Sequence, residues 1–209
     1  MDRKYAIIDM DGTMVSSMHY WDQLGEEFFQ SRGITDDLTE VLELARPMTI
    51  PETAELFVRY FHLPDDAEKI CADLCAMMEH HYRNDIPAKP GVAAYLRMLH
   101  ETGVKMCVVS STTEYLVKIC LQRLGFDKYF DFIMSCESVG SGKHRPDAYF
   151  VAAEKLGAKP EEIAVYEDAV YAVRTALDAG FYVVGVYDEP SKAMWPEIQS
   201  IAHETVSFE

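Results

Sequence analysis

From residue 91 to residue 186, short apolar segments alternate with helical patterns, and this alternation limits the folds open to the chain. The predicted strands are 104–109 ("VKMCVV"), 130–134 ("FDFIM"), 163–166 ("IAVY") and 182–186 ("YVVGV"). The predicted helices are 91–102, 113–124, 146–156 and 170–179. Parallel strands need crossovers that lie on a face of the sheet, so the pattern predicts an α/β fold with a doubly wound parallel sheet.

One more apolar strand, predicted at residues 4–10, stands far from the others in the chain. The block that follows it has no strand pattern, and its apolar residues recur at helical spacing. We expect this block, 16–85, to be an all-helical domain inserted into an α/β core formed by residues 1–15 and 86–209. The segments "MVSSM" and "NDIPAKP" are candidate hinges. The tail, 190–209, is weakly patterned and predicts a helix and a short strand at 205–208.

Charge and cysteine usage restrict the class of partner and the compartment. The formal net charge is −16, with 35 acidic against 19 basic residues, which disfavours binding to nucleic acid or to anionic lipid. No apolar stretch approaches about 20 residues, so no membrane span is expected. Five cysteines without a CxxC pair, and a charged start without a signal-peptide pattern, predict a reducing cytoplasmic location.

Polar residues follow three of the predicted strands directly. Asp9 and Asp11 lie at the end of the first strand, Ser110 and Ser111 follow the second in "VVSST", and the pair Glu167-Asp168 follows "IAVY". A lone lysine, Lys143, lies in the polar loop "SCESVGSGKHRPD". In open α/β sheets, ligands bind beyond the carboxyl ends of the strands, so we expect these groups to meet at one edge.

Crowded carboxylates need a cation, and hard oxygen ligands suit Mg²⁺. Such a set fits phosphoryl transfer, in which one carboxylate is the nucleophile, another is the acid, and hydroxyl, amide and ammonium groups bind the phosphoryl oxygens. Each feature alone has a structural alternative. The aspartate pair is common in solvated turns, Glu167-Asp168 resembles a helix N-cap, and Ser110 to Thr112 could cap the helix predicted at 113–124.

Four segments in order resemble the motifs of the haloacid dehalogenase-like hydrolases: "DMDGT" (9–13), the strand ending in Ser110, Lys143 in "GKHRPD", and "VYEDAVYAVRTALDAG" (165–180). The helical block resembles the small cap of the phosphatase and phosphomutase branch, whose members are similar to β-phosphoglucomutase or phosphoglycolate phosphatase. The resemblance implies a Rossmann-like core with a cap domain.

The resemblance also implies a role for each matching residue. Asp9 would be the nucleophile and a Mg²⁺ ligand, and Asp11 the general acid and base, with its backbone carbonyl on the metal. Asp168 and Glu167 would complete the metal site. The phosphoryl group would be bound by three residues: Ser110, Ser111 and Lys143.

The chain departs from the family pattern at three positions. His144 stands where a proline usually follows the lysine, and Ala172 stands where a glycine is usual. Trp21 occupies the position at which mutase members carry a histidine that positions the acid, so a hydrolase is favoured over a mutase. The second aspartate of the DxD motif disfavours a dehalogenase, because that residue protonates the leaving oxygen of a phosphate ester.

Three residues of the helical block are candidates for substrate specificity: Tyr20, Trp21 and Arg46. The alternatives are packing within the cap for the two aromatic residues and an ordinary helix-surface position for Arg46. The sequence therefore predicts a monomeric, Mg²⁺-dependent phosphatase that acts on a small phosphorylated metabolite. A phosphomutase and a non-catalytic binding or regulatory protein on the same fold are the alternatives.

Overall fold

The computed structural model describes residues 3–34 and 37–208. Its centre is a sheet of six parallel strands in the order β3-β2-β1-β4-β5-β6. The strands are β1 (Tyr5–Ile8), β2 (Lys105–Ser110), β3 (Phe132–Ser135), β4 (Ile163–Glu167), β5 (Tyr182–Val186) and β6 (Glu204–Val206). The expected doubly wound α/β fold is confirmed.

Helices cover both faces of this sheet. Those of the α/β part are α5 (Val92–Glu101), α6 (Glu114–Leu124), α7 (Asp147–Leu156), α8 (Val170–Asp178) and α9 (Trp195–Ile201), numbered after four helices that precede them in the chain. Ile8 faces α5 and α6, whereas its neighbour Ile7 faces α7 and α8, because successive side chains of a strand point to opposite faces. Both faces are therefore buried, which explains the continuous apolar strands in the sequence.

The register of the central strands positions their polar ends. Ile8 pairs with Val108 of β2 and with Tyr166 of β4. The backbone N–H of Asp9 donates to the carbonyl of Tyr166 at 3.1 Å, so the ladder continues to the edge of the sheet. Asp9 consequently emerges beside the last residue of β4, Glu167, at the point where the strand order reverses.

Four helices separate β1 from the rest of the sheet: α1 (Met18–Ser31), α2 (Thr39–Ala45), α3 (Ile50–Phe61) and α4 (Ala67–Asn84). An aromatic cluster of Phe28, Phe29 and Phe57 holds α1 against α3. A capping box of Thr49 and Glu52 begins α3. No helix in the described ranges is both long and apolar enough to cross a bilayer.

The two segments that connect the helical block to the sheet lie side by side. The N–H of Ser16 donates to the carbonyl of Pro87 at 3.0 Å, and the N–H of Lys89 donates to the carbonyl of Met14 at 2.9 Å. Val15 and Ala88 form an antiparallel bridge between them. Chain entry and exit thus pass through one short paired strip, close to the carboxyl edge of the sheet.

Candidate active site

Three carboxylates meet at the carboxyl edge of the sheet. Asp9 follows β1, Glu167 ends β4 and Asp168 comes directly after it. All three are buried, and one oxygen from each lies within 4.8 Å of the others. Asp9 Oδ2 is buried and has no hydrogen-bond partner among the described residues. An orphaned carboxylate oxygen next to two further carboxylates is a donor set that fits Mg²⁺.

Lys143 supplies the positive charge on the other side of Asp9. Its side chain is 3% exposed, and its ammonium group contacts Asp9 Oδ1 and lies 2.7 Å from Glu167 Oε1. Burial lowers the pKa of Lys143, but the charges of Asp9 and Glu167 outweigh burial and hold that pKa well above its ordinary value. The lysine is therefore a permanent cation at the edge.

The neighbours of Glu167 shift its pKa in opposite directions. Burial and the charge of Asp9 raise the pKa of Glu167 to about 7, although Lys143 and the hydroxyl of Tyr149 act to lower it. Tyr149 donates its O–H to Glu167 Oε1 at 2.8 Å from the buried face of α7. Tyr149 was not anticipated from the sequence, where it fits an apolar helix position.

Asp11 is held in a different way from Asp9. Its Oδ1 accepts hydrogen bonds from Ser17 and Tyr82, each at 2.6 Å, and its Oδ2 accepts one from Thr112 at 2.8 Å. Burial, with the charge of Asp9, raises the pKa of Asp11, and the three hydroxyl groups only partly offset that rise. A raised pKa favours the protonated form of Asp11, which is the form that a general acid uses.

The hydroxyl groups on Asp11 were missed at the level of sequence. Tyr82 lies in the last turn of α4, and Trp21 Nε1 of α1 donates to its hydroxyl at 3.0 Å. The helical block thus reaches the carboxyl edge of the sheet through Trp21 and Tyr82. The carboxylate of Asp11 is not part of the three-carboxylate cluster, so its predicted role at the metal rests on its backbone carbonyl alone.

Ser110 and Ser111 lie at the end of β2, beside the carboxylates. Ser110 Oγ accepts the N–H of Thr112 at 3.1 Å, and Ser111 Oγ is buried without a partner in the described part of the chain. The residue that precedes α6, Thr113, makes no side-chain cap, so this segment does not cap the helix. These positions suit an incoming anion with several acceptor oxygens.

A cavity of about 180 Å³ lies between this edge and the helical block. Asp9, Asp11 and Lys143 line its floor, and Trp21 and Arg46 line its upper part. The structure therefore brings together every residue proposed for the site except one.

The exception is Tyr20. It does not contribute to the described lining and instead packs against His19 and His81, with ring centroids 4.0 and 4.8 Å away. Because adjacent residues of a helix point about 100° apart, Trp21 faces the cavity while Tyr20 packs, half-buried, against α4. The expectation that Tyr20 lines the cavity is not supported by its position.

A second buried ion pair was also unanticipated. Lys89, just after the helical block, lies 2.8 Å from Asp188, which follows β5; both side chains are buried. The rule that located Asp9 and Glu167, polar residues directly beyond a strand, would have located Asp188 too. Lys89 also donates to the carbonyl of Tyr187, which anchors the exit segment to the sheet.

Gly12 allows the backbone to approach the metal cluster. Its φ is +78°, and a Cβ built on it would lie 2.3 Å from Asp168 Oδ2. Thr13 next to it donates to Asp168 Oδ1 at 3.1 Å. A side chain at position 12 would therefore strain the turn and displace a candidate metal ligand.

The substitution Gly12→Ala is expected to lower stability by about 1–2 kcal/mol and also to remove most activity. Gly103→Ala is the matched control, because Gly103 has φ +81° and a Cβ added there would have no neighbour within 4 Å among the described residues. That control should lose stability alone. Thermal unfolding measures the loss of stability, and hydrolysis of a phosphate ester measures the loss of activity. Equal activity in the two variants would contradict the role given to the close contact between Gly12 and Asp168.

The comparisons with known proteins agree with this geometry. A family model for haloacid dehalogenase-like hydrolases matches residues 4–180. The chain belongs to this family. The resemblance drawn from the four motifs is confirmed, and the chain is a hydrolase.

Two curated relatives span most of the chain. The phosphorylated carbohydrates phosphatase of Thermotoga maritima is 26% identical over 179 residues, 84% of this chain and 81% of that protein. Hexitol phosphatase A of Escherichia coli is 27% identical over 202 residues, 96% of this chain and 90% of that protein. Among solved structures, CbbY from Rhodobacter sphaeroides in complex with phosphate has a TM-score of 0.83 at 21% identity, covering 98% of this chain and 93% of that one.

Proposed function

We propose that the chain is a Mg²⁺-dependent phosphatase that hydrolyses a small phosphorylated metabolite through an aspartyl-phosphate on Asp9. The observation that carries this proposal is the contrast between Asp9 and Asp11. Asp9 has a buried cation on one oxygen and an orphaned second oxygen, whereas Asp11 has three hydroxyl partners and a raised pKa. The relatives in the family support the same reaction class, since two of them are phosphatases by name.

The charges buried at the edge favour a divalent cation. In the described part of the chain, the buried charged side chains are four carboxylates and two ammonium groups, namely Asp9, Glu167, Asp168, Asp188, Lys89 and Lys143. With all six ionised, two negative charges are left uncompensated, and this cost of burial without a cation is what raises the pKa of Glu167. Mg²⁺ held by Asp9, Asp168, Glu167 and the backbone carbonyl of Asp11 would offset them and would neutralise charge on the phosphoryl oxygens.

The residues divide the reaction between them. A carboxylate oxygen of Asp9 attacks phosphorus, the bond from phosphorus to the leaving oxygen breaks, and Asp11 gives that oxygen its proton. Asp11 then takes a proton from water, whose oxygen attacks phosphorus and breaks the bond to Asp9. Lys143, Ser110 and Ser111 hold the phosphoryl oxygens through both steps.

We further propose that residues 16–85 act as a cap over a core of residues 1–15 and 86–209. The hydroxyl of Tyr171 donates to the carbonyl of Arg46 at 2.9 Å, and Gly142 packs against the carbonyl of Pro47. Such contacts close the cavity against water. The two connecting segments that pair at Val15 and Ala88 would be the hinge. One chain supplies every group of the site, which suits a monomer, and the free thiols suit a reducing cytoplasm.

The direct test is the hydrolysis of 4-nitrophenyl phosphate. We expect turnover in the presence of Mg²⁺, its loss on addition of EDTA, and its recovery when excess Mg²⁺ is restored. Phosphate release from the purified protein is the measurement. Turnover that is unaffected by EDTA would exclude the metal-dependent reaction, and a complete absence of turnover with any phosphate ester would favour a binding protein.

A further inference from the structure

The cavity above the carboxylates has two unlike halves. Its floor consists of the charged and hydroxyl groups already described. Its upper half is formed by the helical block and is lined mainly by apolar side chains: Leu24, Leu42, Met48, Ile50, Phe57 and Leu74. An ester whose phosphoryl group lies on the floor would therefore place its leaving group against hydrocarbon.

Polar groups of the upper half are largely engaged within the protein. Trp21 Nε1 donates to Tyr82, and the hydroxyl of Tyr171 donates to the carbonyl of Arg46. Thr53 of α3 adds one further hydroxyl group to the lining, and Asp22 of α1 adds a carboxylate that lies 3.6 Å from Arg46. A leaving group with several hydroxyls would lose its hydrogen bonds to water without replacing them, and each such loss weakens binding.

Charge at the rim argues against a second phosphate. Arg46, a candidate for binding a distal charge, already lies 2.9 Å from Glu43 and 3.6 Å from Asp22. Of these two carboxylates only Asp22 belongs to the described lining, so the Arg46 guanidinium is already paired within the rim. A second phosphate or a carboxylate on the substrate would have to displace Asp22 from Arg46 and would lie beside that carboxylate's charge, which disfavours its binding.

We propose that the substrate is a monophosphate ester of a compact, uncharged alcohol whose distal carbons carry few or no hydroxyl groups. The proposal rests on the phosphatase function proposed above and narrows it. The volume of about 180 Å³ is below the usual range for ligand pockets, about 300–1,000 Å³, which agrees with a compact leaving group. The apolar cap wall selects the alcohol, and the rim, where Arg46 is paired with Asp22, disfavours bisphosphates.

Three four-carbon esters test this proposal: n-butyl phosphate, erythritol 4-phosphate and butane-1,4-diyl bisphosphate. We expect kcat/KM for the butyl ester to exceed that for each of the other two by about tenfold or more. The polyol is the better leaving group, so chemistry alone would give the opposite order for the first pair. A preference for erythritol 4-phosphate or for the bisphosphate would overturn the proposal.

Variants on α2 locate the source of the preference. Leu42→Gln introduces an amide into the cavity wall and should reduce the butyl-to-erythritol ratio at least severalfold. Leu44→Gln is the matched control, because Leu44 is 46% exposed on the same helix and does not belong to the described lining. The control should keep the wild-type ratio; an unchanged ratio in Leu42→Gln as well would refute a selective apolar wall.

Binding measurements test the substrate preference independently of the proposed reaction. The affinities of the three esters for Asp9→Asn, measured by calorimetry with Mg²⁺ present, should follow the same order as kcat/KM. If wild type hydrolysed no ester while the butyl ester still bound most tightly, the phosphatase function would fail and the selectivity would stand. If turnover occurred and the esters bound equally, the selectivity would fail and the phosphatase function would stand.

Discussion

Asp9→Asn is expected to lower the rate of phosphate release by about 10⁴-fold or more. An amide is a poor nucleophile and carries no charge, so attack on phosphorus is lost and Lys143 keeps only Glu167 as its charged partner. Steady-state release of phosphate from 4-nitrophenyl phosphate measures the loss. Mass spectrometry of the rapidly quenched wild type should detect a chain heavier by one phosphoryl group, and that species should be absent from the variant.

Asp188→Asn is the matched comparison, because Asp188 is also a buried carboxylate paired with a buried lysine at the same edge. It should lower the thermal stability, since Lys89 loses its charged partner, yet it should keep most of the activity. Comparable losses of activity in the two variants would mean that Asp9 acts only as a buried charge. A rate for Asp9→Asn within tenfold of wild type would exclude it as the nucleophile.

The fold was largely predictable because its strands are buried on both faces. β5 was predicted at its observed bounds, and β2, predicted at 104–109, lies at Lys105–Ser110. The tail was harder to interpret. β6 is an edge strand of three residues, Glu204–Val206, and two of them are exposed, so no continuous apolar run marks it.

The same distinction separates the site residues that could be predicted from the sequence from those that could not. Residues that directly follow strands, such as Asp9 and Asp168, were located by topology alone, since parallel strands end at one edge. Tyr82 could not be located in this way, because its ring fills an apolar helix position while its hydroxyl reaches Asp11. The choice between Tyr20 and Trp21 depended on how α1 is rotated against its neighbours, which local sequence does not determine.

The assignment of Asp11 as the acid predicts a dependence on the leaving group. Asp11→Asn is expected to lower the hydrolysis of alkyl phosphates by about 10³-fold, because an alkoxide leaves poorly without a proton. For 4-nitrophenyl phosphate the first step should be much less affected, since the phenolate leaves unprotonated. Parallel kcat/KM measurements on alkyl and aryl esters give the ratio of the two losses.

Asp11→Asn should also affect the second step, the hydrolysis of the aspartyl-phosphate. Without a base to deprotonate water, the aspartyl-phosphate on Asp9 should accumulate, so a stopped-flow trace should show one burst of nitrophenolate per active site before slow turnover. Tyr82→Phe is the control, because it removes a hydroxyl group that contacts Asp11 and leaves the carboxylate in place. Its loss should be about tenfold, without a burst. Equal losses on alkyl and aryl esters in Asp11→Asn, with no burst, would show that Asp11 shapes the site and does not transfer the proton.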